Sequence, residues 1–188
     1  MKKTSTILAI GSALALGSAQ AEIESSFHVG YSTDYVFRGI NQGGAGEGLY
    51  EYGIDFSGDA SCGTTWNAGV WRADFADGLS EETDIHGSVS KEFGAVELSL
   101  GLIRYDYGNG TVGDTSEIFL GAGTELSGLS LAAVIYYDVD AADGNMYGEL
   151  SAGKSYEVGG GATLDLVASI GSTIDGGAAD DYVTYGLK

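Results

Sequence analysis

The 188-residue chain has no proline, one cysteine, and eight lysines and arginines against 27 acidic residues. Each shortage excludes something. Without proline, every ladder N–H stays available, which suits a chain built of paired strands. Cys62 has no second cysteine to form an intramolecular disulfide and no metal-ligand set near it in sequence, so it is expected to carry no function. So few basic residues leave no patch for nucleic acid or for an anionic surface. Nowhere does an apolar run reach the roughly 17 residues that a spanning helix needs. A strongly acidic chain can be disordered, but 44% hydrophobic content, with 12 Tyr, 6 Phe and 2 Trp, predicts a folded one.

What is present begins with a leader. Lys2 and Lys3, the apolar stretch from Ile7 to Leu16 and the small-residue site Ala19-Gln20-Ala21 form a secretory signal, so residues 1–21 are expected to be removed. Cleavage takes two lysines and no acid, leaving six basic residues against 27 acidic ones. Residues 22–188 show no composition break and read as one domain.

The mature part alternates apolar and polar residues almost one by one. Phe27, Val29, Tyr31, Tyr35 and Phe37 oppose His28, Ser32, Asp34 and Arg38; Tyr50, Tyr52, Ile54 and Phe56 oppose Glu51 and Asp55. Strands turn successive side chains to opposite faces, so one face is greasy and the other wet. Ten strands are predicted, over about 23–40, 49–57, 64–75, 81–93, 96–107, 115–126, 129–138, 146–157, 162–171 and 181–188. Their connections alternate short (GDASCG, GA, SG, VGGG) and long (NQGGAGEG, ADGLSE, GNGTVGD, VDAADGN, STIDGGAADD). That rhythm is the one shown by up-and-down transmembrane barrels of Gram-negative outer membranes, whose polar face lines the lumen. Two strands slip phase, at Val70/Trp71 and at Arg104, which predicts either a β-bulge or strand ends above the membrane.

Aromatic residues sort toward the strand ends. Tyr35, Phe37, Tyr50, Tyr52, Phe75, Tyr105, Tyr107, Tyr136, Tyr137, Tyr147 and Tyr182 predict an outer girdle, and Phe27, Phe56, Trp66, Phe93 and Tyr156 an inner one.

The stretch Ser32-Thr-Asp-Tyr-Val-Phe-Arg-Gly-Ile-Asn-Gln42 resembles the end of the first strand in TorF-like porins, also called the Gcw_chp family. Ala68-Gly69-Val70-Trp71 and Tyr147-Gly148-Glu149-Leu150-Ser151-Ala152-Gly153 add weaker likeness. The resemblance implies an outer-membrane barrel with a transport role. Family members run on to a final strand with a terminal aromatic residue, so a twelve-stranded barrel lacking its last two strands stands beside the ten-stranded reading.

The expected function is a narrow porin-like channel for small solutes or cations. The alternative is a plugged structural or ligand-binding barrel acting through acidic outer loops. Lumen residues are expected at Asp34, Arg38, Glu51, Asp55, Asp84 and His86, with Arg38 paired to Asp34 or Glu51 because an unpaired charge in a narrow lumen is costly. Asp84, His86 and Ser88 share a strand face, as do the histidine and serine of outer-membrane phospholipases. Residues two apart in a strand lie about 7 Å apart, however, and no oxyanion hole can be found, so no enzyme is expected. The loop from Asp138 to Gly144 fails as an EF-hand, with Ala142 in its fifth place and its glycine late, so no metal or other cofactor is expected. Partners are expected to be membrane lipid, lipopolysaccharide and small solutes or cations, with the barrel a monomer.

N-terminal sequencing of the chain recovered from an expressing Gram-negative host should begin at Glu22; an N-terminus at Met1 would remove the exported reading.

Overall fold

Face alternation places the backbone donors and acceptors in the plane of a sheet, where only neighbouring strands can satisfy them. The computed structural model describes residues 23–38, 40–41, 48–75, 81–108, 113–140, 144–159, 162–175 and 182–187. Strand β1 (Ile23–Ser32) is followed by a short ribbon of β2 (Val36–Phe37) and β3 (Ile40–Asn41). Then come β4 (Leu49–Asp59), β5 (Thr64–Phe75), β6 (Glu81–Phe93), β7 (Val96–Asp106), β8 (Thr115–Leu126), β9 (Leu129–Asp138), β10 (Met146–Gly159), β11 (Ala162–Asp175) and β12 (Tyr182–Leu187). All but β2 and β3 form one antiparallel sheet in chain order, curled on itself, which is the topology of an all-β up-and-down barrel. Among the described residues, β1 and β12 each pair with one neighbour. The leader with its cleavage site, Asp143 and the side chain of Tyr182 lie outside the described residues.

Short connections behave as two-strand turns should. Ser127 and Gly128 join β8 to β9 with φ of 54° and 73°, the positive pair that matches the twist of flanking strands. Ser61–Gly63 makes a single 3-10 turn between β4 and β5.

The ladder from β4 to β8 runs without a register shift. The expected phase slips are therefore not bulges. Trp71 stands on the concave face because its parity puts it there, while Arg72 and Arg104 emerge on the convex face near the long-loop end. Arg104 is held there by Asp140 at 2.7 Å and Asp114 at 3.1 Å. Arg72 pairs with Glu81 and, at 3.3 Å, with Asp74. Toward the short-turn end, Lys91 lies over the Phe93 ring and Lys154 over that of Tyr156. Between these charged levels the convex face is apolar and open to its surroundings: Ile54, Val70, Ile85, Val89, Leu100, Leu102, Ile118, Leu120 and Leu150 are all exposed.

The concave face holds what little core there is. Leu49, Ala73, Tyr105 and Tyr147 are buried there beside Glu82, Asp84 and Glu117. The expected outer girdle therefore divides. Tyr50, Tyr52 and Tyr137 face outward, joined by Tyr31, whereas Tyr35, Phe37, Phe75, Tyr105, Tyr107, Tyr136 and Tyr147 point inward, since strand parity or the path of the first connection gives them the concave side. At the other end Phe27, Phe56, Phe93 and Tyr156 are exposed as expected.

Inside, bulky side chains need a partner without a side chain. A Cβ on Gly101 would meet the Phe119 ring and lie 2.6 Å from the Gly87 carbonyl oxygen, whereas a Cβ on Gly87, which has the outward parity of Ile85 and Val89, finds nothing nearer than 3.7 Å. Gly101→Ala should thus cost about 1–3 kcal/mol by overpacking, and Gly87→Ala less than about 0.5 kcal/mol. Urea titrations of the two variants in one detergent compare them directly; equal midpoints would show that the inside is loosely filled.

Candidate functional site

The polar run Ser32-Thr33-Asp34 ends β1, with the Thr33 hydroxyl donating to Asp34 Oδ2 at 3.1 Å. From there the chain does not continue up the barrel wall. It turns inward and crosses the concave face, so residues 33–38 touch the far strands. The Tyr35 ring packs on Trp71 at 5.8 Å and on Phe75 at 5.6 Å, and Phe37 meets Tyr105 edge-on at 5.8 Å.

Arg38 sits at the turn between β2 and β3 with φ of 48°, a left-handed conformation that a non-glycine residue adopts only when its surroundings hold it. Those surroundings are strong. Its guanidinium donates two parallel hydrogen bonds to Glu117 on β8, Nη1 to Oε1 at 2.7 Å and Nη2 to Oε2 at 2.6 Å. The same group lies over the rings of Phe37, Tyr136 and Tyr147, at 4.7, 4.7 and 4.2 Å from their centroids. A planar cation over ring faces and in line with a carboxylate satisfies both charge and shape. Tyr105 completes the cluster, its hydroxyl donating to Glu117 Oε2 at 3.1 Å.

Beside this tie lies an acidic pair on β6. Glu82 accepts from the hydroxyls of Tyr35 and Tyr107. Burial, reinforced by the charges of Glu82 and Asp84, pushes the Tyr35 phenol above its ordinary range, so it remains a neutral donor. Asp84, 9% exposed, shares a hydrogen bond with Glu82 and has an Oδ1 atom with no hydrogen-bond partner. It lines a chamber of about 430 Å³ whose wall also includes Tyr35, Phe37, Trp71, Tyr105 and Phe119.

Both histidines of the chain gather on one carboxylate. His86 Nε2 lies 2.9 Å from Asp55 Oδ1, and His28 Nδ1 lies 4.0 Å from Asp55 Oδ2. Gly69 on the intervening strand makes the first approach possible, since a Cβ there would strike both Asp55 and His86. His86 is thus turned across the sheet toward Asp55, not along its own strand toward Ser88. Among the described residues, no group of three or more His, Cys, Asp or Glu side chains is arranged to hold a metal ion.

Of the residues expected in the lumen, Glu51, Asp55, Asp84 and His86 stand on the concave face, and Asp34 lies in the loop that leads across it. The expected pairing of Arg38 with Asp34 or Glu51 is corrected. Glu51 instead accepts from Trp71 Nε1 at 3.1 Å and from Ser32 at 3.5 Å, and Arg38 reaches Glu117, 79 residues away. The cause is the break at residues 33–35, which ends the first strand at Ser32 where the alternation suggested continuation to 40. Trp71, expected at a phase slip, and Tyr105, expected in the outer girdle, stand inward instead; the role of Glu117 as the anchor carried no sequence signal.

No family model, no curated protein and no solved structure matches this chain.

Removing Arg38 leaves Glu117, with a side chain 7% exposed, without a counter-charge. Arg38→Ala should cost about 3 kcal/mol or more, and adding Glu117→Gln should recover part of that loss. A double-mutant cycle from urea midpoints measures the coupling; strictly additive effects would mean that the pair contributes nothing.

Proposed function

We propose that this chain is a porin-like barrel of the bacterial outer membrane, with a narrow acid-lined lumen closed at rest by the inward-folded first connection. The observation that carries the reading is the crossing of residues 33–38 from β1 to Glu117 on β8, which lays a hydrogen-bonded barrier over a face lined by Glu51, Asp55, Glu82 and Asp84. The exposed apolar convex face supports lipid as its surroundings, because so large a greasy surface would not stay dispersed in water. The charged levels support it too. From Thr83 to Lys91 a strand covers about 27 Å, or about 21 Å along the membrane normal at a tilt of about 40°, comparable with the ~25 Å apolar band of such barrels, and the flanking bases lie where headgroups and lipopolysaccharide would meet them. The likeness of residues 32–42 to TorF-like porins is in keeping with this assignment.

The second reading is a permanently plugged barrel that binds a ligand or acts through its outer loops. The bidentate hold on Arg38 favours it, since that tie must break before anything passes.

Planar-bilayer recording separates the two. The wild-type protein should conduct weakly, and replacing residues 33–41 with a short Gly-Ser linker should raise the conductance severalfold, with cation selectivity that strengthens at low salt. A folded replacement variant that stays silent would leave the plugged barrel, and an anion-selective pore would contradict an acid-lined passage.

A further inference from the structure

We infer that the chamber beside the Arg38 tie is a binding site for one small organic cation, an alkylammonium or quaternary ammonium ion, held by Asp84 and the rings around it. Three observations converge. Asp84 is buried and, although it shares a hydrogen bond with Glu82, its Oδ1 is without a partner, and an unmet buried carboxyl oxygen calls for a donor or a positive charge. Much of the wall around it is aromatic, with Tyr35, Phe37, Trp71, Tyr105 and Phe119 lining a space of about 430 Å³ that His86 also borders, a volume suited to a small ligand. Finally, the protein already seats one organic cation by the same chemistry: the Arg38 guanidinium lies over three rings and against a carboxylate within this cluster.

The chemistry also sorts the candidates. A bare metal ion would find no set of three ligating side chains among the described residues, and rings replace a hydration shell poorly. An anion would meet Asp84 with Glu82 beside it. A neutral solute would leave the negative charge shared by the hydrogen-bonded Glu82–Asp84 pair without a counter-charge. An ammonium ion with a methyl or alkyl surface satisfies carboxylate and rings together. The inference stands on the concave-face geometry alone and holds whether or not the barrel conducts.

The test uses the full mature protein in detergent, carrying Trp66→Phe so that Trp71, on the chamber wall, is its remaining tryptophan. Choline chloride, its uncharged isostere 3,3-dimethylbutan-1-ol and potassium chloride are titrated separately at matched ionic strength, followed by Trp71 emission and by calorimetry. Choline should bind saturably while the alcohol and potassium do not. Asp84→Asn should weaken choline about tenfold or more, as loss of a buried charge partner does, and Phe119→Leu should weaken it severalfold in a protein whose charges are untouched. No saturable heat or emission change with choline would overturn the inference, as would equal binding of the alcohol, equal competition by potassium, or unchanged affinity in a folded Asp84→Asn protein.

Discussion

A sheet one residue thick has two faces, and each charged side chain in its strands must be given to one of them. Here the convex face carries Ile85, Val89, Leu100, Leu102, Leu120 and their neighbours, so the carboxylates of the strand interiors are sent inward. That concentrates Glu51, Asp55, Glu82, Asp84 and Glu117 on a narrow concave surface, where Glu82, Asp84 and Glu117 are buried and Glu51 and Asp55 half-buried, so each needs a partner. Supply is short, because Arg38 is the arginine that reaches this surface. The internal arrangement follows from the shortage: Glu117 takes the guanidinium, Asp55 takes both histidines, Glu51 takes the Trp71 N–H and a serine, and Glu82 takes two phenols. Asp84 is left with an unmet oxygen.

Space is rationed in the same way as charge. A small barrel fills its interior with side chains, so large residues need small ones opposite. Gly53 clears room for His28, Gly69 for the Asp55–His86 contact and Gly101 for Phe119. What the strands leave unfilled, residues 35–38 partly occupy, and the chamber beside Asp84 is space they leave open. The inward crossing and the chamber are two results of one packing problem.

On the outside, the charged residues mark levels. Arg72 is satisfied by Asp74 and Glu81 at the facing ends of β5 and β6, and Arg104 by Asp114 and Asp140 in the long loops, while Lys91 and Lys154 lie over aromatic rings at the opposite end. Long basic side chains can lay their stems on an apolar surface while the charge reaches polar surroundings. Such a placement costs little at either rim and much in the apolar zone between.

The two-residue alternation by itself determined which residues face which way, because parity is a local property that a strand cannot evade. The alternating connection lengths determined that sequence neighbours pair, because a two-residue turn leaves a strand no other partner. Asp55, Asp84, His86 and Glu51 were therefore legible as inward residues. What each of them touches was decided elsewhere. Which carboxylate receives Arg38, and whether residues 33–38 climb the wall or cross the interior, both depend on the curl of the sheet, which brings β8 to β10 opposite the end of β1. Curvature sums small twists over many strands, and no local run of residues records that sum. Tertiary structure alone could bring Arg38 to Glu117.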